Sequence, residues 1–435
     1  MTLFGLPMGL MVVVLFVIGA TLGRFLNLCI DQFWRHDRLL DQLKSVCPGT
    51  ELYNKTSHRF WRKENIPIIG GLINGSLRKK PKREAFVELL NGLLLAGLYW
   101  YMIPISAEAD INNTGFFTLL WANSLPESHI EDYRQPVLWL HLWYLYLVVM
   151  IEAMVVATFI DFDWQLIPDG CTIPAMIIGI LGGWLLERAY LLPVWFQKPD
   201  IMEIWAQFLP IWMEPWLQGP RIPAWIQQDS GMPGLVTSLA GWAVGGILVW
   251  GVRIIGAWVL KREAMGFGDV ILMAMIGSFI GWQPAVIVFF LAPFCGAGMA
   301  LFVRLFHGEA AIPYGPYLSL GTIVLLFGWR YLAPGIQDFF QIGILVPLMG
   351  VVMFATMALL LQLIQLSKMI LGMPLEEEIR VGQWTSADQL QYFEGEQEDP
   401  NQGKWHSDNN TRWPGTESGR GRLHYERWKR GHRWK

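Results

Sequence analysis

Two aspartates carry most of the potential chemistry in this sequence. Asp161 closes one apolar run, in Phe159-Ile160-Asp161-Phe162-Asp163-Trp164-Gln165-Leu166-Ile167-Pro168-Asp169, and Asp269 opens another immediately after Met265-Gly266-Phe267-Gly268. Glu152 lies inside the run that Asp161 closes. Ionisable groups in or beside such runs are costly and usually mark function. Two carboxylates brought together share a proton, because like charges a few ångströms apart cannot both ionise cheaply. One can then take a proton from water while the other, protonated, holds a scissile carbonyl, which is aspartic protease chemistry. Gly266 and Gly268 lack a Cβ, so an extended peptide can come close beside Asp269, and Pro168 sets the turn after Asp161. A plainer reading competes: acids at helix ends also cap helices or rest in headgroup water, which fits Asp163 and Asp169, and Gly-x-Gly-Asp alone is a common pattern.

The elements that must position these acids are membrane helices. Of 435 residues, 53% are hydrophobic and 16% charged, against about 25% charged in a soluble domain. An ordinary soluble enzyme is excluded. Nine apolar runs read as helices: Leu3 to Gly23, Phe86 to Ile105, Leu138 to Ile160, Gly170 to Leu186, Leu235 to Leu260, Val270 to Ile280, Ala285 to Leu305, Leu318 to Leu332 and Ile344 to Ser367. The expected fold is an all-α polytopic membrane protein with eight to nine transmembrane helices. The first run lacks a basic n-region and a small-residue cleavage site, so it reads as a retained helix.

Charge between the runs sets the orientation. Asp31 to Glu84 holds 12 Lys/Arg against 6 Asp/Glu, whereas Ser106 to Val137 holds one Arg against 5 acids. Basic loops stay in the cytoplasm. The N-terminus is therefore expected outside, with the Asp161 to Asp169 turn inside and the segment from Glu187 to Gly234 outside. That segment carries Trp195, Trp205, Trp212, Trp216 and Trp225 and reads as a stretch lying along the outer interface.

The expected organisation is a first helix in 1–30, a basic loop in 31–84, and a membrane core in 85–335 with the Trp-rich insertion 187–234. An additional helix in 336–367 and a polar, disordered cytoplasmic tail in 368–435 follow. The tail ends in a basic segment with Trp405, Trp413, Trp428 and Trp434, which suits anionic lipid, although a simply solvated tail is the plainer reading. Four cysteines, with only Cys47 in a polar loop, supply neither a disulfide framework nor a zinc site.

At these residues the sequence resembles the prepilin peptidase family, membrane aspartic proteases with a Gly-x-Gly-Asp signature. Gly23-Arg24-Phe25-Leu26-Asn27, Glu64-Asn65-Ile66-Pro67 and Phe86-Val87-Glu88-Leu89-Leu90-Asn91-Gly92 look like its first motifs. The runs around Asp161 and Pro168-Asp169, the segment Glu263 to Asp269, and Ile312-Pro313-Tyr314-Gly315-Pro316 follow in the family's order. The resemblance implies that Asp161 and Asp269 are catalytic, supported by Gly266, Gly268, Pro168 and Asp169. They would cleave the basic leader of a type IV prepilin or type II secretion pseudopilin at the cytoplasmic face of the bacterial inner membrane. It implies no cofactor for proteolysis. Methylation of the new N-terminus with S-adenosylmethionine is a second activity of many members, for which Glu88 and Gly92 are the candidate residues. Implied partners are the substrate, membrane lipid and the pilus or type II secretion machinery; nucleic acid is not expected.

The sequence departs from that family. The four-cysteine zinc loop of many members is represented by Cys47 alone, which also puts methylation in question. Ile271 stands where a Lys is common, so either another cation such as Arg253 or Arg262 compensates or the pH range of the enzyme differs. Asp161 and Asp269 are 108 residues apart, a wider separation than usual, and the ninth helix and tail lie outside the resemblance. Two other readings remain open: a broader intramembrane peptidase of the signal-peptide or preflagellin type, and a non-enzymatic transporter or inactive assembly scaffold. A transporter should show more buried charges and repeated halves, which the sequence lacks.

Overall fold

The computed structural model describes residues 7–36, 38–47, 50, 81–112, 137–187, 190–192, 194, 203–204, 206–208, 210, 212, 231–260, 265–306, 313–340 and 345–371. The Glu64 to Pro67 motif, Arg262, Glu263, the tail beyond 371 and most of the Trp-rich insertion lie outside them. All regular structure among the described residues is helical: α1 (Met8–Gln32), α2 (Leu39–Val46), α3 (Pro81–Asn112), α4 (Val137–Trp164), α5 (Asp169–Leu185), α6 (Met232–Leu260), α7 (Phe267–Ile280), α8 (Trp282–Phe306), α9 (Gly315–Phe340) and α10 (Leu345–Ile370). A 3-10 turn, Phe33–Arg35, joins α1 towards α2.

Each of the nine apolar runs coincides with a helix. Five of these helices are long and apolar enough to cross a membrane, and four shorter apolar ones accompany them. The helices often outrun the runs that predict them. α1 continues through Arg24 to Gln32 and α3 starts at Pro81, because backbone hydrogen bonding carries a helix on into polar water after its apolar stretch ends.

The chain divides into two compact units, Met1–Val249 with Phe267–Leu348, and Trp250–Gly266 with Met349–Lys435. In the first, α7 is the buried centre: Asp269, Val270 and every residue from Leu272 to Ile280 are buried. A helix apolar on all sides belongs there. It ends at Gly281, whose φ of +84° is the left-handed conformation that glycine adopts freely, and α8 starts at the next residue.

Close helix crossings hold this unit together. Lipid tails are as apolar as leucine, so membrane helices associate through close packing at small residues and through buried hydrogen bonds. A Cβ on Gly19 would stand 2.9 Å from the Cα of Gly92, and one on Gly23 would stand 2.7 Å from the Cα of Glu88. One turn further, Asn27 Nδ2 donates to the Glu84 carbonyl at 3.0 Å. Steps of four residues up α1 match steps of four down α3, so the two helices are antiparallel. Gly241 meets Gly277 and Gly245 meets Met273 backbone to backbone, which makes α6 and α7 antiparallel in the same way. Asn91 Nδ2 donates to both Gly19 O and Glu152 Oε1, each at 2.9 Å, tying α1, α3 and α4. The Tyr146 hydroxyl of α4 reaches Gly179 O of α5 at 2.6 Å and Ser278 O of α7 at 3.3 Å.

In the second unit Gly251 of α6 packs on the Phe354 ring of α10, a Cβ there standing 2.9 Å from the ring edge. Arg253 Nε donates to the Met265 carbonyl at 3.2 Å. No residue in the most apolar stretch of α10 is buried, as suits a helix facing lipid.

Candidate active site

α4 ends at the aspartate cluster for a local reason. Gln165 takes a left-handed φ of 51° and its N–H returns to the Asp161 carbonyl at 2.9 Å. This closes the helix C-terminus. The chain then runs extended through Ile167 to Pro168, which has φ −79° and ψ 140° and precedes the first residue of α5, Asp169. Asp161 therefore occupies the last turn of α4, and Asp269 the first turn of α7, where exposed N–H groups favour an anion. Their exposures are 5% and 7%.

The two aspartates lie at the same end of the first unit, around Ile167. A Cβ on Gly268, one residue before Asp269, would stand 2.9 Å from the Cβ of Ile167. A Cβ on Gly315, the first residue of α9, would stand 2.6 Å from Asp161 Oδ2 and 3.0 Å from Ile167 Cδ1. Three helix termini thus meet at one isoleucine, and a carboxylate comes in with two of them. Tyr314 adds a polar group. Its carbonyl accepts from the N–H groups of Tyr317 and Leu318 at 3.0 and 3.3 Å, anchoring the start of α9. Burial raises the ionisation of its phenol above the ordinary tyrosine range, and the charge of Asp269 adds to the rise.

A second set of residues grips the Asp161 turn from the N-terminal helices. Arg83 of α3 forms an ion pair with Asp163, two residues after Asp161, and its guanidinium lies 5.9 Å from the Phe159 ring. Phe86 meets that ring edge-on at 6.2 Å. Trp34 stacks on Trp164 at 3.8 Å. Gln42 of α2 accepts from the Gly170 N–H at 2.5 Å and donates to His36 O at 2.7 Å. Arg83 and Asp163 are each 24% exposed, and pairs of that exposure contribute about 1 kcal/mol or less. The pair fixes direction more than it stabilises.

The remaining predicted residues fall elsewhere. Gly266 precedes α7 in sequence. Glu88 is 1% exposed in the α1–α3 seam, and a Cβ on Gly92 would stand 2.9 Å from the Phe16 carbonyl. Sequence reasoning missed Arg83, counted only as loop charge, and Gln42 and Trp34, which carry no pattern. Gly19 and Gly23 were visible as a small-xxx-small pair, and Tyr314 and Gly315 were quoted for their motif without a role. Among the described residues no group of three or more His, Cys, Asp or Glu could hold a metal ion.

Residues 221–301 match the type IV leader peptidase family. The chain is 26% identical over 330 residues to a type 4 prepilin-like proteins leader peptide-processing enzyme of Escherichia coli, covering 71% of this chain and 91% of that protein. It is 24% identical over 351 residues to a prepilin leader peptidase/N-methyltransferase of Stutzerimonas stutzeri, covering 74% and 92%. A protein of the same description from Aeromonas hydrophila is 27% identical over 184 residues, and there the match spans about half of the relative, 47%. No solved structure matches the chain.

Proposed function

We propose, from the match of residues 221–301 to the type IV leader peptidase family and the likeness to its relatives, that this chain is a membrane aspartic endopeptidase that removes the leader of a type IV prepilin or pseudopilin. The observation that carries the proposal is the meeting of the Asp161 and Asp269 helix ends around Ile167, with Gly315 against Asp161. Basic loop charge assigns that end to the cytoplasmic face of the inner membrane and the N-terminus to the outside. The catalytic core is residues 85–335, and its partners are the prepilin, surrounding lipid and a pilus or type II secretion assembly.

In this reading one aspartate is ionised and takes a proton from a water as its oxygen attacks the scissile carbonyl. The other is protonated and hydrogen-bonds the carbonyl oxygen. Collapse breaks the C–N bond, and the leaving nitrogen takes the proton. The missing Cβ atoms of Gly268 and Gly315 let Ile167 and the Asp161 carboxylate pack directly against the starts of α7 and α9.

The printed names of two of the relatives above add N-methylation, for which S-adenosylmethionine would be the methyl donor. Glu88 and Gly92 do not fit a bound donor as placed, because the α1–α3 seam closes over both. No methylation step is assigned to them.

The test is co-expression with a prepilin and mass spectrometry of the pilin N-terminus. Wild type should yield the processed N-terminus, and Asp161→Asn and Asp269→Asn the full-length leader. Processing by either variant would overturn the proposal.

A further inference from the structure

Ile167 sits in a stretch of backbone with little freedom. On one side the Gln165 N–H closes α4 on the Asp161 carbonyl; on the other comes Pro168, whose ring confines the residue before it to extended conformations. The Pro168 carbonyl accepts from the Thr172 hydroxyl of α5 at 3.2 Å, and the Gly170 N–H is taken up by Gln42. The side chain is stiff as well, because branching at Cβ restricts χ1, and it is buried. Its two ends meet different helices. A Cβ on Gly268 would stand 2.9 Å from Ile167 Cβ, whereas one on Gly315 would stand 3.0 Å from Ile167 Cδ1 and 2.6 Å from Asp161 Oδ2. One rigid aliphatic chain thus spans from the residue before Asp269 to the glycine on which the Asp161 carboxylate rests.

We propose that Ile167 is a positioning residue, a spacer of fixed length that sets the separation of the Asp161 and Asp269 carboxyls. This rests on the peptidase reading above. Two carboxyls share one proton only when they are close, and their coupling falls with distance. An aliphatic spacer suits that task, since it brings no polar group to compete for the shared proton. Stiffness is what the position selects. Leucine keeps the volume and the apolar character of isoleucine but is not branched at Cβ, so it swings where isoleucine does not. With leucine the carboxyls spread over a range of separations, spend less time at the one that shares a proton, and titrate more independently.

The test uses the full chain in detergent with a synthetic peptide carrying a basic leader, a glycine at the cleavage point and an apolar segment. Ile167→Leu conserves volume, a change that cores tolerate well. The expected result is a kcat lower by about tenfold, with KM unchanged and a thermal midpoint close to wild type. The acid and alkaline limbs of its kcat/KM profile, which report the acid and base of the free enzyme, should draw together. Wild-type kcat, or limbs that stay where wild type has them, would overturn the assignment, since loss of packing alone lowers the midpoint and moves neither limb. Where Ile167→Leu does not accumulate, Ile167→Val serves: it keeps the branched Cβ against Gly268 and withdraws Cδ1 from Gly315, and the same two readings decide. The other titratable groups at this end, Asp163 with its Arg83 partner, Asp169 and Tyr314, are retained in both variants, so movement of the limbs reports the pair. Asp269→Asn, run in parallel, separates the two ideas: cleavage by it sinks the peptidase reading itself, whereas its inactivity beside an Ile167→Leu enzyme with wild-type kcat and limbs sinks only the role of Ile167.

Discussion

Asp161 and Asp269 reach the same place by different physical means. The turn around Asp161 is held by side chains from outside α4: the Arg83 guanidinium on Asp163, Trp34 on Trp164, and Gln42 on the Gly170 N–H. Asp269 stands at the head of a helix placed by what is missing. Gly241 and Gly277 bring α6 and α7 into backbone contact, and Gly268 lets Ile167 in. Side-chain bonds near the membrane edge are adjustable and lose only their own energy when cut. Backbone contacts have no give, so an added atom must move a whole helix. The first arrangement tunes one carboxylate, and the second fixes the frame in which the other sits.

The sharpest break is Gly315→Ala. The new methyl would meet the far end of the Asp161 side chain at 2.6 Å, which can swing aside at little cost in stability. The displaced carboxylate should nevertheless lower kcat by about a hundredfold, with a thermal midpoint near wild type, read by peptide cleavage and unfolding in the same detergent. Gly277→Ala should do the opposite. Its methyl meets the Gly241 carbonyl, and overpacking of that kind costs roughly 2 kcal/mol, seen as a lowered thermal midpoint.

Arg83→Ala should lower kcat about tenfold, a loss of roughly 1.4 kcal/mol in the transition state, without changing the midpoint. The exchange Arg83→Asp with Asp163→Arg should recover part of it. If the single and exchanged variants match wild type, the side-chain grip on Asp161 has no catalytic role. The smallest effect expected is from Asn91→Ala, which removes the two bonds joining α1, α3 and α4. One buried hydrogen-bond group contributes about 1 kcal/mol, so a small midpoint shift with normal kcat is expected.

Much of this was legible before any coordinates. Apolar runs identify the helices because each must satisfy its own backbone in lipid, and the scarcity of charge singles out Asp161 and Asp269. Boundaries were less legible: α1 runs nine residues past Gly23, to Gln32, since hydropathy reports where lipid ends and not where hydrogen bonding does. Glu88 and Gly92 show the limit on roles. As letters in a motif they suggest chemistry, and the structure adds a packing part for their backbones, which meet Gly23 and Gly19 across a helix seam.

By itself the sequence determined that the chain is a bundle of membrane helices and which acids are expensive enough to matter, because transfer into lipid depends on composition along one segment at a time. Only the tertiary structure decided that Ile167, Gly268, Gly315 and Tyr314 meet at those acids and that Arg83 and Gln42 hold the turn. Those contacts join positions up to 154 residues apart. Their physical basis is the approach of one helix to another, which no single segment encodes.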